Sequence, residues 1–247
     1  MKKVVFLGAK AIGLHCLQLL LQKQSAYNYK VTAIGTAGLQ NQYNQQINNL
    51  AEQYQVKLIR SLAELPPCDV LISVQYHRIL KQQHIDLAGQ IAVNLHMAPL
   101  PEYRGCNQFS FAIVNNDSQF GVTLHQLEAG IDSGAILFEK RFPIPPNCWV
   151  TDLYRLAEEQ SGKLFEQHLA DIVHGKYNPV AQQNLIPDRG TAYHFRHEIE
   201  QLKQIDLNWS AQTIERHVRA TWFPPNEPPY TFINGKKFYF QGAEQSS

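Results

Sequence analysis

Ile91-Ala-Val-Asn94-Leu-His96-Met-Ala-Pro99-Leu-Pro101-Glu-Tyr103-Arg104-Gly105 is an apolar run that closes on polar residues and a rigid turn. Successive side chains of a strand point to opposite faces, so Asn94 and His96, two apart, leave the same face. Pro99 and Pro101 forbid a helix directly after the strand, and Gly105 allows a sharp change of direction. An amide and an imidazole are therefore aimed side by side at the carboxyl end of a strand, which in open α/β sheets is where ligands bind.

The flanking sequence supplies the rest of such a sheet. Residues 3–8 read as an apolar strand and residues 11–24 as a helix, with Ile12, Cys16, Leu19, Leu20 and Lys23 at helical spacing. A second strand is expected over 31–35, then a helix through Ile47, Leu50, Ala51 and Tyr54, and a short strand over 56–59. Pro66-Pro67 breaks the chain before residues 69–74, a continuous apolar run of the kind a parallel sheet buries on both faces. Gln75-Tyr76-His-Arg78-Ile79-Leu80 leaves that strand at the same sheet edge as Asn94 and His96, which makes it a candidate ligand loop. A short helix over 83–87 ends at Gly89.

Downstream, residues 107–115 read as a helix, and 121–127 with 135–142 as a long hairpin whose tip, Glu128-Ala-Gly-Ile-Asp132-Ser-Gly134, is acidic and glycine-flanked. Thr151 is placed to cap a long amphipathic helix that Gly175 stops. Strands alternating with helices give the fold class α/β, a Rossmann-like, mostly parallel sheet. The character changes near residue 180, so 1–180 is expected to be the catalytic domain and 181–247 a small C-terminal extension. That extension reads as a helix over 211–220 and a β-hairpin, 230–233 and 236–240, around Asn234-Gly235. It is too small to stand alone, and is expected to pack on the sheet, complete a substrate site or form an interface.

Composition excludes several classes. Twenty-two basic against 21 acidic residues give a net charge of +1, with no overall pull toward nucleic acid or an anionic membrane. No apolar run approaches the roughly 20 residues of a membrane span, and the start is too short to be a signal peptide, so a cytoplasmic protein is expected. The four cysteines are far apart with no C-x-x-C pair and read as reduced thiols. Among ten histidines, only His194-x-x-His197 resembles a ligand pair, and it reads as an ordinary polar pair because a metal needs three or four convergent donors; no metal is expected. The turn Gly8-Ala-Lys-Ala-Ile-Gly13 is not G-x-G-x-x-G, and no acidic residue follows the second strand, which argues against dinucleotide binding.

An amide, an imidazole and a carboxylate brought together suit acyl transfer to an amine. The amide and imidazole can stabilise the oxyanion that forms as the nucleophile adds, by about 3 to 4 kcal/mol per well-placed donor. The carboxylate can orient the imidazole and relay protons, and Asp132 is the natural supplier. Taken singly, Asn-x-His on a strand also reads as buried polar residues satisfying one another, and an Asp between glycines as a turn residue.

The ordered set Asn94-Leu-His96-Met-Ala-Pro-Leu100-Pro101-Glu-Tyr-Arg-Gly105, Gly121-Val-Thr-Leu-His and Ala129-Gly-Ile-Asp132-Ser-Gly134-Ala-Ile resembles the formyltransferases that use N10-formyltetrahydrofolate. The resemblance covers about residues 68 to 140 and implies that Asn94, His96 and Asp132 are the catalytic trio. The family pattern usually reads H-x-S-L-L-P-x-x-x-G; Ala98 and Pro99 depart from it, which touches the local hydrogen bonding of the turn and leaves the trio intact. Within the family, methionyl-tRNA formyltransferases carry a longer barrel-bearing C-terminal half and a basic surface, and glycinamide ribonucleotide formyltransferases lack such a tail. The Pro-Glu-Tyr-Arg-Gly-Cys-Asn-Gln segment and the aromatic, proline-rich tail are similar to the sugar-nucleotide N-formyltransferases, which serve surface polysaccharides such as O-antigen and lipopolysaccharide.

That resemblance implies transfer of a formyl group from N10-formyltetrahydrofolate, as co-substrate, to the amine of a nucleotide-linked deoxyamino sugar, a dTDP-linked 4-amino-4,6-dideoxyglucose being favoured. It implies pterin contacts at Tyr76, Arg78, Ile79 and Leu80, sugar-nucleotide contacts at Arg104, Asn107 and Gln108, and stacking of the base on Trp222, Phe223 or Tyr230. Arg104 also reads as a surface charge and the aromatic cluster as core or dimer contact. A homodimer is expected, with no nucleic-acid or membrane partner. A member of another class, a folate- or nucleotide-binding module without catalysis, stays open on sequence alone.

Overall fold

A computed structural model of the chain describes residues 1–36, 38 and 41–241; residues 37, 39, 40 and 242–247, the last six inside the expected C-terminal extension, lie outside the described residues. In chain order the N-terminal elements are β1 (Lys2–Gly8), α1 (Lys10–Lys23), β2 (Tyr29–Gly35), α2 (Gln42–Gln53), β3 (Lys57–Ile59), β4 (Cys68–Val74), α3 (Gln82–Ile85) and β5 (Ala88–His96). They are followed by β6 (Tyr103–Gly105), α4 (Gln108–Val114), β7 (Gln119–Gln126), β8 (Ile136–Pro143) and α5 (Val150–His174). The tail adds α6 (Ile186–Arg189), β9 (Ala192–His194), α7 (Ile199–Lys203), α8 (Ala211–Thr221), β10 (Tyr230–Ile233) and β11 (Lys236–Tyr239).

Seven strands form one sheet in the order β3-β2-β1-β4-β5-β7-β8. The β1–β2, β1–β4, β2–β3 and β4–β5 pairs are parallel, whereas β5–β7 and β7–β8 are antiparallel, so only β7 runs against the rest. The expected Rossmann-like, mostly parallel α/β sheet is the one observed. Its central strands are continuously apolar because both faces are covered. Val4, Phe6, Ile72 and Val93 join the larger core with Ile12, Leu17 and Phe165 of α1 and α5. The residues between them, Val5, Leu7, Leu71 and Ala92, join a second cluster with Leu65, Leu80 and Ile85. Period-two alternation thus splits one strand between two cores.

Several element ends differ from the sequence reading by one to three residues, and two of them are informative. The long helix α5 begins at Val150 with Trp149 in the capping position, so Thr151 sits inside its first turn rather than capping it. Burial decides the start: Val150 is buried in the core and Trp149 packs edge-on against Trp222, 5.7 Å between centroids. The helix before β5 is a single turn, Gln82–Ile85. Gly175 does close α5, at φ +74°.

The tail clasps the sheet edge that carries the candidate site. Val180 exchanges backbone hydrogen bonds with Ile136 of β8, and β9 pairs parallel to β6. Arg189 makes two hydrogen bonds of 2.9 Å to the Glu139 carboxylate of β8. Ser210 caps α8, which packs on α4. The β10–β11 hairpin turns at Asn234 and Gly235, both at positive φ (51° and 74°), as an Asn-Gly turn favours. It pairs with none of the seven strands.

Candidate active site

β5 and β7 run antiparallel, with Asn94 opposite His125 and His96 opposite Thr123. The strand end is held by two hydrogen bonds in the turn where the family pattern is broken. Thr123 Oγ1 donates to the Ala98 carbonyl at 2.8 Å, and the Tyr103 amide to the Pro99 carbonyl at 2.9 Å. Neither uses the side chain of residue 98 or 99, so both bonds are available to Ala98 and Pro99. Both the Ala98 and Thr123 side chains are fully buried.

The β7–β8 connection brings Asp132 back over this strand end. Its Oδ1 lies 3.6 Å from His96 Nδ1 and 3.6 Å from His125 Nε2, while Oδ2 accepts the Gly105 amide at 3.0 Å. Gly134 lets the loop approach so closely: a Cβ there would sit 2.0 Å from the Gln126 carbonyl oxygen. Gly105, at φ +85°, does the same on the opposite side, where a Cβ would meet the His194 carbonyl at 2.4 Å. Gln182, from the tail, donates to the Asp132 and Gly134 carbonyls, both at 2.8 Å, and so fixes the loop from behind.

Burial alone would raise the Asp132 carboxyl. The charge of His96 and the Gly105 N–H act against it, and the group is held well below the usual carboxylate range. Asp132 is therefore a permanent anion facing two imidazoles. His96 Nε2 donates to the Tyr103 carbonyl at 2.8 Å, which leaves Nδ1 as the nitrogen available to the site. Asn94 Nδ2 lies 3.2 Å from His125 Nε2.

Next to this cluster is a cavity of about 570 Å³ lined by Lys10, Gln75, His77, His96, Asn107, Gln108, Tyr154, Arg196 and Phe223 among others. His96 is the member of the trio that reaches its wall. Burial lowers the Lys10 ammonium, and the neighbouring Arg196 lowers it further; burial, Lys10 and Arg196 lower His77 in the same way. Three basic groups gathered on one wall make a place for an anion.

The expected contacts divide. Gln108, Asn107 and Phe223 line the cavity. The Asn107 amide is spent on the Phe195 and Arg196 carbonyls, at 2.8 and 3.2 Å, so it anchors the tail. The Arg104 guanidinium donates to the Ile131 carbonyl at 2.8 and 3.1 Å, bracing the Asp132 loop, and is not among the lining residues. Trp222 and Tyr230 also stand outside the lining: Trp222 faces Trp149, and Lys237 covers the Tyr230 ring at 3.6 Å. Tyr76, Arg78, Ile79 and Leu80 lie off this cavity. Tyr76 and Leu80 pack on the smaller core, Ile79 is 72% exposed, and Arg78 reaches the Arg60 carbonyl at 3.5 Å.

Sequence reasoning assigned no role to His125, Lys10, Arg196 or Gln182, and gave His77 only a place in the candidate ligand loop. Thr123 and His125 alternate with Leu124 on β7 and so share a face, but only the pairing with β5 brings that face to the site. Gln182 and Arg196 reach it from 50 and more residues downstream of Asp132, with no local pattern to mark them. His194 proves structural: it stacks on Phe111 at 3.5 Å and bonds Glu198 at 2.9 Å. The four cysteines are unpaired.

The chain matches the family described as formyl transferase over residues 6–169. It is 30% identical over 171 residues to GDP-perosamine N-formyltransferase of Brucella melitensis, covering 69% of this chain and 63% of that protein. It is 35% identical over 181 residues to methionyl-tRNA formyltransferase of Acidithiobacillus ferrooxidans, covering 73% of this chain and 54% of the relative. The chain thus spans between about half and two thirds of the length of these relatives. In fold it is similar to an N-formyltransferase from Helicobacter canadensis solved in complex with folinic acid and dTDP-3-aminofucose, at a TM-score of 0.75 and 24% identity, covering 96% of this chain and 86% of that one. With the match spanning residues 6–169, the chain belongs to the formyl transferase family.

Proposed function

We propose that the protein transfers the formyl group of N10-formyltetrahydrofolate to the amine of a nucleotide-linked amino sugar, by direct attack. The observation that carries this reading is the convergence of His96 and the Asp132 anion, with Asn94 beside them, at the edge of a cavity whose other wall bears Lys10, His77 and Arg196. An acyl-transfer centre next to an anion-seeking pocket suits a small amine that carries a diphosphate. The GDP-perosamine relative and the dTDP-3-aminofucose complex support a sugar nucleotide, and the folinic acid of that complex supports a folate donor.

The folate loop fits a flat ring. Tyr76 and Leu80 form an apolar floor, and the uncovered Ile79 is the kind of side chain that a bound ring removes from water. On the other side, Lys10 and Arg196 receive the diphosphate, and Tyr154 and Phe223, packed at 5.5 Å, offer faces to the base. The neutral amine attacks the formyl carbon. One N–H of Asn94 and Nδ1–H of His96 donate to the oxyanion, and Asp132 balances the imidazolium charge. The His96 imidazolium gives its Nδ1 proton to the departing N10 as the carbon–N10 bond breaks, and the freed Nδ1 takes up the proton lost by the attacking nitrogen, with Asp132 staying ionised beside it. No covalent enzyme intermediate forms.

In this reading residues 1–180 carry catalysis, the tail completes the sugar-nucleotide side, and the product, preferably from dTDP-4-amino-4,6-dideoxyglucose, serves surface-polysaccharide assembly. Pairing of two copies is supported by Phe232, Ile233, Phe238 and Tyr239, apolar and exposed on the terminal hairpin. The test is a panel: N10-formyltetrahydrofolate with dTDP- and GDP-linked amino sugars, charged initiator tRNA or glycinamide ribonucleotide. Formylation confined to a sugar nucleotide is expected. Formylation of the tRNA or the ribonucleotide instead would assign a different substrate, and no formylation of any amine would leave a binding module.

A further inference from the structure

His125 touches no part of the cavity, is 1% exposed, and yet shares the Asp132 oxygen with His96. Both imidazoles commit one nitrogen to a backbone carbonyl. His96 Nε2 donates to Tyr103 at 2.8 Å, and His125 Nδ1 donates to Gln126 at 2.7 Å. A carbonyl oxygen only accepts, so each ring carries its hydrogen there, and each turns its second nitrogen toward the same Asp132 Oδ1, at 3.6 Å. The other carboxylate oxygen is taken by the Gly105 amide. Two rings therefore compete for one acceptor.

Asn94 breaks the tie. Its Nδ2 is only a donor and stands 3.2 Å from His125 Nε2, within hydrogen-bond reach, whereas Asp132 at 3.6 Å is beyond it. For this bond to exist, His125 Nε2 must be bare. We propose that His125 is a positioning residue: as the neutral Nδ1–H tautomer it accepts one N–H of Asn94, turns the amide nitrogen toward the site and leaves the Asp132 carboxylate to His96.

The chemistry follows from the two N–H bonds of a primary amide. One is held by His125, and the other is presented to the oxyanion with the amide unable to flip. If the ring instead carried a hydrogen on Nε2, the amide would have to turn its oxygen to it. The formyl oxygen would then lose a fixed donor, and His96 would share its counter-ion. This inference rests on the proposed acyl transfer for its catalytic meaning, but the tautomer and the amide orientation are properties of the protein alone.

Long-range proton–nitrogen NMR of the histidine-labelled protein, without substrate and at neutral pH, reads the tautomer directly. His125 is expected to show a protonated Nδ1 and a bare Nε2. A protonated Nε2 would overturn the assignment. In turnover, His125→Leu is expected to lower kcat by roughly 10-fold or more, toward the ~100-fold typical of losing one oxyanion donor, with KM for both substrates little changed. His125→Gln, whose side-chain oxygen can accept from Asn94, restores most of that loss. Equal kcat in wild type and His125→Leu, or a Gln variant no better than the Leu variant at equal melting temperature, would overturn it. Should His125→Leu fail to fold, the Gln variant and the NMR tautomer still decide. Wild-type protein that transfers no formyl group would overturn the functional reading, while the NMR result would still judge His125.

Discussion

Asp132 is the residue on which the site's electrostatics turn. Its carboxyl is held below its ordinary value, against the cost of burial, by the charge of His96 and a backbone N–H. A carboxyl depressed in the folded state stabilises the fold above its unfolded value, near 3.9, and that contribution is lost as the pH falls through the folded value. Asp132→Asn removes it. The melting-temperature advantage of the wild type over this variant is therefore expected to be full near neutrality and to shrink below about pH 4, as scanning calorimetry would show; an advantage that grows on acidification would contradict the assignment. Turnover in Asp132→Asn is expected to fall by roughly 100-fold or more. Thr123→Val tests the turn: it orphans the buried Ala98 carbonyl at nearly constant volume and should cost about 1–3 kcal/mol in a denaturant titration. Asn94 and His96 were legible from period two and the proline turn. His125 was not, because a histidine in an alternating strand carries no mark of what it faces until the partner strand is placed.

The elements explain why the trio meets. β5 carries two of its members, and the loop between β7 and β8 must fold back tightly to deliver the third, which Gly134 permits. Gly134→Ala is expected to push that loop off the Gln126 carbonyl. Activity should then fall at least tenfold, while the sheet, read by far-ultraviolet circular dichroism, keeps its content. Wild-type activity in this variant would show that the approach is not needed. The β/α alternation and the β7–β8 hairpin were readable because their periodicity is local. The start of α5 was not, since Thr151 offered a cap but burial of Val150 and the Trp149–Trp222 contact set the first turn two residues earlier. Arg104 was readable as a cation at the site, whereas its engagement with Ile131 depends on where the loop lands.

At the scale of the molecule, the tail and the sheet close the site together. Gln182 holds two carbonyls of the Asp132 loop, Arg189 grips Glu139, and β9 extends from β6. Gln182→Leu orphans the two carbonyls, at about 1–3 kcal/mol each if neither recovers a partner. For a chain of this size that is a drop of roughly 2–4 °C per kcal/mol, with a loss of turnover that a remote surface change would not produce. Composition made the tail visible as a change of character near residue 180, but its contacts are long-range pairings that no local pattern encodes.

The central claim, an acyl-transfer centre built on Asn94, His96 and Asp132, is tested most directly by the rate of tetrahydrofolate release from N10-formyltetrahydrofolate in the presence of an amino-sugar nucleotide. The rate is compared between wild type and His96→Ala at matched melting temperature. Release coupled to formylation of the sugar amine, slowed by roughly 100-fold or more in the variant, is the predicted result. Equal rates in the two proteins would contradict it.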